Sequence, residues 1–259
     1  MGRPKFLDAT LSEMRKLQAS LADPFLKTTR AQKHLEDLRT ELTAFYESEP
    51  KPYTFLGQDD LEHQRYRIRI EFRDAPDNVW LIAGDLFYCL RSSLDQLVWS
   101  LASLSLAYPE GTQFPILDVD NTENRKRFVK QTTGVPADAV SIIDELQPYH
   151  GRDAAEIRSN PLWRLNLMCN IDKHRRIPIH GNMVDFKIPK SLFEFVTFDG
   201  DGMMSVPLGM KNNMRLAPNL LCKVVFGDFN AGVDFDLEGI ERIYKFVTNG
   251  VIPRFSRFF

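Results

Sequence analysis

Apolar residues in this chain recur mostly at intervals of three and four, the spacing that places side chains on one face of a helix. Leu7, Leu11, Met14, Leu17 and Leu21 open the pattern with charges between them, and Leu35, Leu38, Leu42 and Phe45 continue it. Asp23-Pro24 reads as a cap followed by proline at the first helical position. Residues 8–47 are therefore expected to form a helical pair, either an antiparallel hairpin or a bent rod. Leu86, Leu90, Leu94, Leu97, Leu101 and Leu104 predict a long helix that starts at Asp77 or Asn78 and runs to about Leu106. Shorter helices are expected from Asn121 through Lys130, from Pro136 to Leu146 and from Pro161 to about Ile171. A final amphipathic helix carries Leu237, Ile240, Ile243, Tyr244 and Val247.

The period changes to two where Tyr66, Ile68, Ile70 and Phe72 alternate with Arg65, Arg67, Arg69, Glu71 and Arg73. That alternation predicts a half-buried strand with an arginine-rich outer face. After Pro178, the runs Ile179 to Ile188, Phe193 to Phe198 and Leu221 to Phe226 are separated by turn-forming residues and read as antiparallel strands. The fold class expected is α+β: a helical bundle core with a small antiparallel β-sheet and a C-terminal helix. Pro50-Lys51-Pro52 interrupts the pattern. It divides an N-terminal helical segment, 1–49, from an α+β domain, 50–259. In that domain polar-site helices are expected at about 77–106 and 161–176, with strands at about 177–228. The N-terminal helices are the candidate element for a homodimer.

A formal net charge of -2 gives the whole molecule no attraction for nucleic acid or for an anionic membrane. Binding of RNA would need a local patch. The arginine face of the strand and the basic helix with Arg125, Lys126, Arg127 and Lys130 are the candidates. The plainer reading of the strand face, and the favoured one, is a solvated surface paired to acidic neighbours. Cys89, Cys169 and Cys222 each lie in an apolar run without metal spacing, as expected of buried thiols in a reducing cytoplasm. No secretory segment and no run of membrane-spanning length is found. His34, His63, His150 and His180 are scattered, and no P-loop, GxGxxG, GxSxG or HExxH occurs, so neither a metal nor a cofactor is expected.

Two polar knots interrupt the apolar helices. Arg91 and Asp95 lie one turn apart at the margin of the leucine seam, flanked by Tyr88 and Trp99, with Gln96 next in sequence. Asn170-Ile171-Asp172-Lys173-His174-Arg175-Arg176 ends the helix that begins at Pro161. There the helix dipole favours a protonated His174. Two such knots suggest one polar site between packed helices. Each also has a plainer reading: an intrahelical ion pair for Arg91–Asp95, and cationic capping for the basic cluster.

Gly84-Asp85, then Leu90-Arg91-Ser92-Ser93-Leu94-Asp95-Gln96-Leu97, then Asn170-Ile171-Asp172-Lys173-His174-Arg175 resemble a group of bacterial proteins of uncharacterised function with a "GDxLxxLRSxLDxL" helix and an "NIDKHR" helix. The resemblance spans roughly Asp77 to Arg176 and implies no particular reaction. A weaker resemblance is to the HEPN superfamily of helical, usually dimeric domains, many of them metal-independent ribonucleases. Their motif places a histidine four to six residues after an arginine. Arg91 matches the arginine, and Gln96 stands where the histidine would be. Glutamine cannot act as the acid or base that imidazole supplies. Under this resemblance either the nuclease chemistry is absent, or His174 moves the proton, with Arg91 and Asp95 as the other catalytic residues; the candidate substrate contacts from the two polar knots are Tyr88, Gln96, Asn170, Asp172, Lys173 and Arg175. Three readings follow: an RNA-binding or RNA-processing protein, in a toxin or defence setting; a non-enzymatic scaffold in which Arg91, Asp95, Asp172 and His174 form a structural network; and a protein or enzyme that takes a small anionic ligand.

Overall fold

The leucine seam organises the core. The computed structural model describes residues 20–106, 108–186, 194–198, 203–214, 220–228 and 232–259. In it, Leu86, Leu90, Leu94, Leu97 and Leu101 are wholly buried. Burial of each contributes about 1.5–3 kcal/mol. The fold is α+β, in the order α1 (Ala22–Glu47), β1 (Tyr53–Asp60), β2 (Arg65–Phe72), α2 (Asp77–Ala102), α3 (Thr122–Gln131), α4 (Ala137–Glu145), α5 (Ala154–Ser159), α6 (Pro161–His174), β3 (Ile179–Phe186), β4 (Thr197–Phe198), β5 (Met204–Pro207), the single turn α7 (Lys211–Met214), β6 (Leu220–Asp228), β7 (Val233–Phe235) and α8 (Leu237–Lys245). The chain after α8 continues through a wider π turn, Phe246–Val251, and a tighter 3-10 stretch, Ile252–Phe258. Among the described residues, no helix is long and apolar enough to cross a membrane.

Two compact units emerge, each assembled from separated stretches of chain. The sequence places a boundary near residue 49; the contacts group residues 20–38 with Trp80–Ile177 and Leu237–Phe259, and Arg39–Val79 with Pro178–Asp236. The expected helix over residues 8–19 falls outside the described residues. Within the first unit the buried set includes Ala31, Leu35, Leu38, Phe87, Phe114, Ile143, Leu165, Met168, Ile240 and Phe255. The second unit holds two antiparallel sheets, ordered β1-β2-β5-β4 and β3-β6-β7.

Several elements differ from the periodic reading. Helix α2 stops at Ala102, not Leu106. Past that point Leu104 and Ser105 bond back to Leu101 and Ala102 at three-residue spacing, and the Ser103 hydroxyl donates to the Trp99 carbonyl at 2.8 Å. Serine hydroxyls that compete for carbonyls loosen a helix end, and Leu104 stands exposed beyond the seam. Strand β1 carries no alternation and is exposed almost throughout. It forms because it pairs along its whole length with β2, from Tyr53 opposite Phe72 to Asp60 opposite Arg65. Gly57 is required there, since a Cβ at that position would lie 1.8 Å from the Tyr66 hydroxyl. Strand β5 was also hidden in the sequence. Met204 and Val206 pack on Ile68 of β2. Of the expected strand Phe193–Phe198, only Thr197 and Phe198 are strand among the described residues.

The arginine face of β2 is largely occupied by neighbours. Arg65 donates to the Ser205 carbonyl at 3.0 Å and to the Thr197 hydroxyl. Arg67 pairs with Asp60 at 3.0 Å, and Arg73 donates to the Ser48 hydroxyl at 2.6 Å. Likewise, Arg125 of the basic helix is held by Asp120 and Asp144, at 2.6 Å each. Cys89 and Cys169 are buried free thiols; the side chain of Cys222 is outside what is described.

The most demanding stretch of the first unit is Gln113 to Leu117. From Phe114 to Leu117 it is buried without belonging to a helix or a sheet. Its backbone groups still need partners, and other elements supply them. The Gln113 amide donates to the Gln131 carbonyl at 3.1 Å. The Gln147 side chain spans two peptides: its Nε2 donates to the Pro115 carbonyl at 2.9 Å, and its Oε1 accepts from the Leu117 amide at 3.0 Å. The Leu117 carbonyl accepts from the Tyr149 amide at 3.1 Å. Gln147 is 1% exposed, so water cannot replace it. We predict that Gln147→Met lowers the unfolding free energy by about 2–5 kcal/mol, because it strands two buried backbone groups at about 1–3 kcal/mol each. Urea unfolding at constant m-value checks this; a loss below about 0.5 kcal/mol would show that the groups find other partners.

Candidate functional site

Helices α2 and α6 face each other through complementary stripes. At about 100° per residue, Tyr88, Arg91, Ser92 and Asp95 fall within an arc of about 100° on α2. Asn166, Cys169, Asn170 and Lys173 fall within a similar arc on α6. Two contacts bring the stripes together. The Cys169 thiol donates to the Phe87 carbonyl at 3.4 Å. Gly84 makes room for Asp172: a Cβ on residue 84 would lie 2.5 Å from Asp172 Oδ1. Between the stripes is a pocket of about 330 Å³, closed on a third side by Gln113 and by Arg127 of α3.

The Arg91–Asp95 pair does more than bridge one helical turn. Arg91 Nη2 lies 3.1 Å from Asp95 Oδ1 and donates to the Phe114 carbonyl at 2.8 Å. Asp95 Oδ1 accepts from the Phe114 amide at 2.9 Å. Both polar groups of one residue are thus clamped by two side chains from α2. The other terminal nitrogen, Arg91 Nη1, is buried and has no hydrogen-bond partner among the described residues. Only 15% of the Arg91 side chain is exposed. Burial raises the Asp95 pKa above the ordinary carboxyl value and prevails over Arg91, the Phe114 amide and Lys173, which all favour the carboxylate. Asp95 still shows 35% of its side chain to solvent, so the penalty arises from the crowded walls and not from complete enclosure.

Cys169 forms the apolar part of the floor, and burial pushes its thiol up to about 12. It is a packed thiol and not a nucleophile at neutral pH. Asp172 is the least compensated charge. Burial raises its pKa first, and the nearby carboxylate of Asp85 raises it further. It also sits in the last turn of α6, at the negative end of the helix dipole. Among the described residues its side chain makes no hydrogen bond or ion pair. Lys173 and Arg127 stand exposed at the pocket and have no carboxylate within ion-pair distance among the described residues. The mouth also includes Tyr88, 59% exposed, with Lys27 Nζ 5.5 Å from its ring centre.

Six of the nine residues singled out in the sequence line this pocket: Tyr88, Arg91, Asp95, Asn170, Asp172 and Lys173. His174, Gln96 and Arg175 do not. His174 is expected from the sequence to share the site with Arg91; it is not among the residues that line the pocket. Gln96 lies about 40° past Ser92, and His174 about 40° past Asn170, each just off its stripe. His174 is exposed. Gln96 is half-buried, with Oε1 lacking a partner. Arg175 follows the helix, where the backbone has already turned extended with φ at -162°. Sequence reasoning missed Ser92, Gln113, Arg127, Asn166 and Cys169. Ser92 and Asn166 were recoverable from the same periodicity. Gln113 and Arg127 arrive through tertiary packing, which leaves no local signal.

Comparison with protein-family models, with curated proteins and with solved structures gives no match. Among the described residues, no group of three or more His, Cys, Asp or Glu side chains is placed to hold a metal ion.

The strain at Asp172 is testable. A carboxyl whose folded pKa lies above its unfolded value costs stability as pH rises, because the folded state then binds more protons than the unfolded one. Asp172→Asn removes that cost. The variant is expected to melt above the parent at pH 7, with the difference vanishing below the ordinary carboxyl value of about 3.9. Equal melting temperatures throughout this range would show that Asp172 is adequately solvated.

Proposed function

We propose that the pocket between α2 and α6 binds a small anionic ligand. The observation that carries this reading is Arg91 Nη1, a buried donor without a partner beside a pocket that also presents Lys173 and Arg127. A buried guanidinium nitrogen left unpaired is costly, and an anion in the pocket would satisfy it with charge-assisted hydrogen bonds. Three cations and two carboxyl groups line the space, and one of those carboxyls, Asp95, is engaged by Arg91 and by the Phe114 amide. The volume is at the small end of ligand sites, which span about 300–1,000 Å³. A wholly structural network would account for Arg91 Nη2 and Asp95. It would leave Arg91 Nη1, Lys173 and Arg127 without a role.

The reading is of binding, without assigned chemistry. Cleavage of RNA by the route the HEPN resemblance implies needs an imidazole at the pocket, and His174 is not among the lining residues.

Isothermal titration with inorganic phosphate and simple alkyl phosphates tests the proposal. Binding is expected to weaken as salt rises. Lys173→Ala is expected to reduce affinity about tenfold, or about 1.4 kcal/mol. Substitution of Arg91 is a poorer probe, since it also releases Phe114. Absence of binding by the parent at millimolar probe, or binding unchanged by Lys173→Ala, would refute an anion site.

A further inference from the structure

The pocket has two unlike ends. One is cationic: Arg91 Nη1 is buried without a partner among the described residues, and the charge of Lys173 acts on Asp95, which Arg91 holds. The other is Asp172, set against Gly84. Gly84 and Arg91 are seven residues apart on one helix, about 10 Å along its axis. The Arg91 side chain reaches toward Asp95, further along the helix from Gly84, so the two groups are set apart. Among the described residues no cation offsets the Asp172 carboxyl; the charge that acts on it is the like charge of Asp85. His34 of α1 faces Asp85, and burial disfavours its protonated form. It therefore supplies little positive charge. A carboxyl in this position is unfavourable for a purely anionic ligand, which it repels. It is favourable for one that brings a donor.

We infer that the ligand is a phosphomonoester that also bears an amine, its phosphate held by Arg91 and Lys173 and its ammonium group by Asp172. This rests on the anion-binding reading and adds the second pole. Carboxylate and ammonium attract each other and exchange hydrogen bonds directly. A bound amine therefore relieves a carboxyl that otherwise has no partner. Asn170 and Asn166 line the space beside Cys169. Their amides make no hydrogen bond among the described residues and are open to the middle of such a ligand.

The test compares matched probes on the full chain at pH 7.5: aminoalkyl phosphates with two, three and four carbons against alkyl phosphates of the same lengths. At least one aminoalkyl phosphate is expected to bind about tenfold more tightly than its alkyl counterpart, although it carries less net negative charge. Asp172→Asn is expected to abolish that preference and to leave alkyl phosphate affinity equal or higher. Circular dichroism and melting confirm that the variant is folded. If alkyl phosphates bind but no amine improves binding, or if the preference survives in Asp172→Asn, the two-pole assignment is overturned and the anion site stands. If no phosphate of either series binds, the anion reading itself fails and this inference fails with it.

Discussion

The peptide groups of Phe114 are held between a guanidinium and a carboxylate from the same helical turn, and the first structural unit depends on that hold. An extended segment cannot be buried in a helical core unless its amides and carbonyls are paired. Arg91 and Asp95 pair Phe114, and Gln147 pairs Pro115 and Leu117. The Phe114 ring can then be wholly buried. Because Gln113 precedes Phe114 and bonds to Gln131, the same hold fixes the third wall of the pocket beside α3. Structure and site thus share one pair of side chains.

This sharing explains why the polar residues of α2 looked anomalous in the sequence. A charged pair on a mostly buried helix is tolerable when its members have partners. Here the partners are a backbone amide and a carbonyl from a segment about twenty residues downstream. Arg91 has more donors than the clamp uses, and the surplus nitrogen, Nη1, is the observation on which the proposed anion site rests. A surface ion pair would have contributed a few tenths of a kcal/mol. Hydrogen bonds from charged groups to a buried peptide contribute about 1.5–3 kcal/mol.

Much of this was legible in the chain. The leucine seam, the start of α3 at Asn121 and proline at the start of α6 follow from local periodicity and capping chemistry. So does each polar stripe on α2 and α6, since residues four apart on a helix face one way; that the two stripes meet is set by tertiary packing. What escaped is of two kinds. Gln96 and His174 were grouped with the pocket because they adjoin it in sequence, yet one step along a helix turns a side chain by about 100°. Strands β1 and β5, the arrival of Gln113 and Arg127, and the accommodation of Asp172 by Gly84 come from tertiary pairing. Their sequences carry no period of their own. The arginine stripe of β2 illustrates the same limit: alternation predicted the strand, but its occupation by Ser205, Thr197 and Asp60 depended on strands and turns distant in sequence or hidden from the pattern.

The clamp can be observed directly at the Phe114 amide by native-state hydrogen exchange in the parent and in Asp95→Ala. The account predicts strong protection in the parent. In the variant, protection at Phe114 should fall by orders of magnitude while the amides of the leucine seam in α2 stay protected, since only the acceptor has been removed. Unchanged exchange at Phe114 in a folded Asp95→Ala protein would contradict the claim that this carboxylate holds the segment and shapes the pocket.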